Sequence, residues 1–186
     1  EDAASPTVMT DSILLTAGVE AKEGRDVATW DTPNAFIQTA VEELDKDDDR
    51  IAMKIRGAMV DMLLELDPTC EDHVACERGQ KILCAHILRA IYGMLVSGPL
   101  HHKKFKKAIE GRGFALNPCD PCVANKMING KQHTVSWHVD DLKASHVDSK
   151  VNDEFEEWLQ KEFGQVKRVT GTRGKKHVCL GMTLDC

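Results

Sequence analysis

The stretch from Cys122 to Ser145 reads CVANKMI-NG-KQHTVSWHV-DD-LKAS, and the architecture can be built outward from it. Asn129-Gly130 lies between two β-prone runs. That pair suits a type I′ turn, which needs positive φ at both central positions. The spacing predicts a strand over Cys122 to Ile128 and an alternating return strand over His133 to Val139. Asp140-Asp141 interrupts, and Leu142 to Ser145 can run back as a third strand. Strand interiors disfavour Asp, and two carboxylates side by side at a hairpin tip repel. A divalent cation relieves that repulsion, and carboxylate oxygens suit Mg²⁺.

Downstream, Asp148 or Ser149 can cap a helix with Val151, Phe155, Trp158, Leu159 and Glu162 at helical spacing. Two short strands follow, near 166–169 and 177–184, joined by Gly171-Thr172-Arg173-Gly174. Upstream, Asp11 can cap a helix over Ser12 to Glu23 that stops at Gly24. Asp26 to Asp31 is β-like. Asn34 to Leu44 has helical spacing and runs into an acidic loop, Asp45 to Asp49, expected to be mobile. Ile51 to Ile55 alternates and stops at Gly57. Met59, Leu63 and Leu66 suggest a short helix before Pro68. Ile82 to Met94 is expected as an apolar helix broken by Gly98-Pro99, and Lys103 to Arg112 as a basic helix. This order predicts an α+β fold, with helices packed on one face of an antiparallel sheet.

The chain has 186 residues. Against about 150 residues per domain, that predicts one domain over 1–186. Hydrophobic residues are 42% and charged residues 29%, which excludes wholesale disorder. No window approaches 18 apolar residues, so no membrane span is expected. The start, Glu1 to Pro6, lacks signal-peptide features and a Met, so the chain is expected to be a fragment. With 24 basic and 30 acidic residues the formal charge is −6, which counts against non-specific nucleic-acid binding. The charge is uneven, with base concentrated in 101–107 and 167–177. Seven cysteines at irregular spacing predict free thiols in a reducing compartment.

A third carboxylate, Asp31, ends the run Val27 to Trp30. If the two strands lie side by side, Asp31, Asp140 and Asp141 converge, and three carboxylates can hold the metal pair used in phosphoryl transfer. The competing reading is a solvated turn, where Asp is common. Cys119 and Cys122 have zinc-knuckle spacing but no second pair, so packed thiols are favoured. Trp137 is expected in the core.

The residues around these aspartates carry a resemblance. Asp31-Thr32-Pro33-Asn34-Ala35-Phe36-Ile37 resembles the first catalytic motif of copia-type retrotransposon reverse transcriptases. Ile91-Tyr92-Gly93-Met94 resembles their Leu-Tyr-Gly-Leu segment. Gly113-Phe114 followed by Asn117 to Val123 resembles their Gly-Phe and Asp-Pro-Cys stretch. His138-Val139-Asp140-Asp141 resembles the Tyr-Val-Asp-Asp box, and Leu180-Gly181-Met182 the strand that follows. The motifs fall in family order from about Ser5 onward.

The resemblance implies a polymerase palm with part of the fingers, acting as an RNA-directed DNA polymerase. It implies that Asp31, Asp140 and Asp141 are catalytic and bind Mg²⁺ or Mn²⁺. Thr32, Phe36 and Ser97 would meet the incoming nucleotide, Phe36 as a steric gate; a core Phe on a helix is the competing reading. Partners would be an RNA template, a DNA primer, dNTPs and the polyprotein's integrase and RNase H. The setting would be intracellular, in cytoplasm or virus-like particles, with the nucleus as a further compartment. His138 stands for the family Tyr and can still pack beside a primer terminus; Val96 for a nucleotide-contacting Gln, Gly98-Pro99 at the basic helix, and the expected absence of upstream fingers, thumb and RNase H imply that this fragment is weakly active or inactive alone. An unsatisfied partner of the missing Gln costs roughly 1–3 kcal/mol, or roughly 10- to 100-fold in rate. The alternative is a domesticated remnant that keeps the fold and binds nucleic acid without catalysis.

Overall fold

The computed structural model describes residues 5–41 and 51–185. The acidic stretch Asp45 to Asp49 and the end of the Asn34 to Leu44 segment lie outside the described residues. The chain divides into two compact units, 1–39 with 90–186, and 40–89. The fold is α+β.

The larger unit opens with helix α1 (Thr10–Glu23) and strand β1 (Asp26–Asp31). Helix α3 (Ser97–Gly111) and the short β5 (Ala115–Leu116) come after the smaller unit. Next are β6 (Val123–Ile128), β7 (Lys131–His138), β8 (Asp141–His146), α4 (Ser149–Phe163) and β9 (Thr170–Arg173). Six of these strands form one antiparallel sheet in the order β5-β6-β7-β8-β1-β9. The hairpin β10 (Lys176–Cys179) and β11 (Met182–Asp185) closes the unit.

Turn chemistry builds this sheet. Asn129 and Gly130 take φ of 52° and 74°, the left-handed pair a two-residue I′ hairpin demands. Helix α4 starts where Asp148 accepts the Lys150 N–H at 3.0 Å, which satisfies an orphan donor of the first turn.

Period-two alternation then sorts the side chains. Trp30, Leu142 and Trp137 lie level with one another across β1, β8 and β7. Their face receives α3 and α4: Phe105 packs on Trp137 with ring centroids 5.0 Å apart, and Phe155 on Trp30 at 5.6 Å. The opposite face carries the row Thr29, Lys143 and Ser136 and the row Asp31, Asp141 and His138. Helix α1 lies against this second face. Glu20 accepts two hydrogen bonds from Lys143 Nζ, at 2.5 and 2.6 Å, and both side chains are buried. So two helices pack on the face expected, and the first packs on the other.

The smaller unit is a three-stranded antiparallel sheet, β2 (Ala52–Arg56), β4 (Gln80–His86) and β3 (Val74–Glu77), in that order. Helix α2 (Ala58–Leu66) supplies Val60 to its core beside Ile55 and Leu83.

Several expectations give way to local physics. Ile82 to Met94 is not a helix: its first part is β4, paired on both edges, and 87–96 is turns and a bridge. The apolar run has no 3.6-residue period, and the hairpin turn before it, Arg78-Gly79 (φ 50° and 77°), sets the strand. Asn34 to Gln38 forms turns rather than an α-helix, beginning with Asn34 at φ 58°, and Ala40 makes an isolated bridge with Arg89. Gly98-Pro99 does not break α3 but lies in its first turn, where a missing N–H leaves no bond unmade. The position before α1 is Met9 rather than Asp11, with no side-chain cap; Gly24 ends the helix at φ 61° as expected. Residues 171–174 are mostly β9, and 177–184 is a hairpin turning at Leu180-Gly181.

Six cysteines are free thiols among the described residues. Cys122 is wholly buried and Cys119 exposed. Asp120 beside them is 1% exposed and accepts the backbone N–H groups of Met9 and Cys122. That stretch ties the segment before α1 to β6. No helix among the described residues is long and apolar enough to cross a membrane.

Candidate active site

Asp31 ends β1 and Asp141 begins β8, and the antiparallel register sets them directly opposite. Such residues share a face, with Cβ atoms roughly 4.5–5.5 Å apart. His138 faces the same Asp141 from β7. Only Val139 and Asp140 join β7 to β8. Val139 takes φ 57°, a conformation in which a β-branched residue is an outlier that costs about 1–3 kcal/mol. The Asp140 carbonyl accepts the Thr32 N–H at 2.9 Å, tying the turn to the residue after Asp31. The backbone thus gathers Asp31, Asp140 and Asp141 at one end of one sheet.

Their charges interact. The Asp141 carboxyl is held above the usual carboxylate range, first by burial and then by the Asp140 and Asp31 charges, with His138 opposing. The Tyr92 phenol is also pushed up, by burial and by Asp140 and Asp31. Tyr92, the chain's single tyrosine, therefore lies within electrostatic reach of both carboxylates.

Phe36 is half-buried in the turns after Asp31, not on a helix. Its ring centroid lies 4.7 Å from that of Tyr92 and 6.0 Å from that of His101. His101, from α3, is 3% exposed. Burial pushes its imidazole down to about 4, while the nearby Val139 backbone and the Asp140 charge act the other way. Ser97 is buried and donates its hydroxyl to the Ile91 carbonyl at 2.6 Å. Thr32 is 2% exposed. Val96 precedes α3.

A cavity of about 190 Å³ opens beside the aspartates on the α1 face of the sheet. Asp31, Asp141, His138, Ser136, Lys143 and Thr172 are among its lining residues. The row of carboxylates therefore meets open space rather than core.

The donor chemistry here is that of a hard-cation site, since carboxylates offer oxygen ligands. The side-chain placement is not that of a closed coordination shell: among the described residues, no group of three or more His, Cys, Asp or Glu side chains is arranged to hold a metal ion.

Sequence reasoning missed Tyr92, His101 and Lys143 as neighbours of this end of the sheet. Tyr92 had a signal, its place in a motif. His101 sits in a basic run that reads as solvated, and Lys143 in a strand whose lysines are usually exposed.

No family model matches the chain, and no curated protein matches it. Among solved structures it is similar to the telomerase of Candida albicans, in complex with the TWJ fragment of telomeric RNA, with a TM-score of 0.45 and 10% identity. That alignment covers 99% of this chain and 35% of the telomerase chain, so this chain spans about a third of that protein. A likeness at this level carries no conclusion about activity.

Proposed function

We propose that the chain is the polymerase palm, with part of the fingers, of a copia-type reverse transcriptase, performing RNA-directed DNA synthesis. The observation that supports it best is the pairing of Asp31 with Asp141 while the Thr32 N–H binds the Asp140 carbonyl. Asp31 and the adjacent pair Asp140-Asp141, far apart in sequence, share one end of one sheet.

On this reading Asp31, Asp140 and Asp141 hold Mg²⁺ or Mn²⁺. A bound cation supplies Lewis acidity toward a primer 3′-hydroxyl and a triphosphate. The chain's own part is to position. The β1–β8 register sets two carboxylates together, the Val139 turn adds the third, and the ring of Phe36, tilted 55° against that of Tyr92, would meet the sugar of a dNTP. Partners on this reading are an RNA template, a DNA primer and the integrase and RNase H of the same polyprotein.

A second reading is a remnant that binds nucleic acid without catalysis. Two observations favour it: the carboxylates do not form a closed metal-holding group, and Val96 stands where the resemblance implies a Gln.

Primer extension on an RNA template with Mn²⁺ tests the choice. The polymerase reading expects incorporation by the chain that Asp140→Asn abolishes. Template binding without incorporation supports the remnant, and equal incorporation by both proteins overturns the role of Asp140.

A further inference from the structure

Helix α2 turns only part of its surface inward. Val60 is buried against Ile55 and Leu83, with Leu63 and Leu64 partly buried around them. The outer side is apolar too: Met59 and Met62 are 62% exposed and Leu66 is 83% exposed. At 3.6 residues per turn these three fall within about 60° of arc, which makes one continuous ridge. A single apolar side chain on a surface needs no explanation, but a contiguous exposed patch marks an interaction site. The i, i+3, i+7 spacing is the anchor pattern of helix docking, and the flexible thioether of methionine adapts to a partner's shape. Acid flanks the ridge. Glu65 lies on the next arc of the helix and Asp61 beyond it, while Asp67, Glu71 and Asp72 follow the helix end, and all five are exposed. Asp61 pairs with Lys81 at 2.6 Å, yet no lysine or arginine occurs from 57 to 73. The carbonyl end of α2 adds partial negative charge beside Leu66, with no basic residue in its last turn.

We propose that this face of α2 docks a basic amphipathic helix of a protein partner, with apolar anchors against Met59, Met62 and Leu66 and lysines or arginines against the flanking acids. Charge selects that occupant. A second copy of the chain brings the same acids and no lysine or arginine within 57–73 to meet them. Anionic lipid and nucleic-acid phosphate are repelled by them. The docking face belongs to the smaller unit and does not depend on the aspartates of the larger sheet.

Methionine-methyl NMR of the full chain tests it. The probe is a synthetic helix with leucines at i, i+3, i+4 and i+7 and lysines elsewhere. We expect saturable shifts at Met59 and Met62 while Met9, Met127 and Met182 of the larger unit stay still. The variant Met62→Ser with Leu66→Ser, altered only at exposed side chains, should keep the spectrum of the folded chain and bind the probe at least about tenfold more weakly. A probe with glutamates in place of lysines should not bind. The proposal is overturned if wild type does not bind the lysine probe, if the shifts fall on other methionines, if the double variant binds as tightly, or if the glutamate probe binds equally. Two controls judge the other occupants. Met59 and Met62 shifts that follow protein concentration alone would give the face to a second copy, and shifts on adding phosphatidylserine vesicles would give it to a membrane; either result overturns the proposal.

Discussion

Asp31 and Asp141 are cross-strand partners, two like charges set face to face at the end of a sheet. Directly opposed like charges destabilise a sheet by about 0.2–1 kcal/mol, and the Asp31 charge, after burial and the Asp140 charge, is one of the causes that raise the proton affinity of Asp141. Asp141→Asn is therefore expected to raise the unfolding free energy measured by urea denaturation at pH 7 by that amount, with a higher midpoint. A lower midpoint would show that the two carboxylates do not burden the fold.

The Val139 turn stores strain in the same place. Glycine reaches φ near 57° freely, at the expense of about 0.4–1 kcal/mol of added freedom in the unfolded chain. Against strain of about 1–3 kcal/mol, Val139→Gly should stabilise by roughly 1 kcal/mol. Chemical denaturation measures it, and destabilisation would mean that Val139 is not strained.

Lys143 and Glu20 form an ion pair with side chains 3% and 2% exposed. Removing one partner of a buried pair leaves an uncompensated charge and costs about 3–5 kcal/mol. Lys143→Met alone should lose that much. Glu20→Gln with Lys143→Met should recover most of it, because a neutral pair of similar volume replaces the ions. A double variant no more stable than Lys143→Met would show that charge is not the reason.

The buried histidines set an acid limit. Burial, aided by the charge of His146, pushes His133 down to about 3, below the ordinary value of about 6.5. A depressed histidine leaves stability intact above about pH 6.5 and removes it as pH falls toward the folded value, because only the unfolded chain takes up the proton. Each such group contributes a slope of up to about 1.36 kcal/mol per pH unit. Urea midpoints between pH 7 and pH 5 should fall with pH, and less steeply in His133→Gln. A flat wild-type profile would contradict this.

Where structure is decided by neighbours in sequence, the sequence could be read. Asn129-Gly130 encodes its own turn, Gly24 its own helix end, and Asp26 to Asp31 its own strand. From those pieces the approach of Asp31 to Asp141 followed. Where tertiary pairing decides, local signals misled. Ile82 to His86 is apolar without a period, and it became a strand because β2 and β3 flank it on both sides. Ser97 to Pro99 joined α3 because Ser97 is buried and bonded to Ile91. Lys143 was legible only once Glu20 was known to lie against the same face.

Mn²⁺ titration of the chain, followed by electron paramagnetic resonance, tests the central claim most directly. The account predicts that wild type sequesters Mn²⁺ and that Asp140→Asn loses at least about tenfold in affinity, about 1.4 kcal/mol. Equal affinity in the two proteins, or none in wild type, would contradict it.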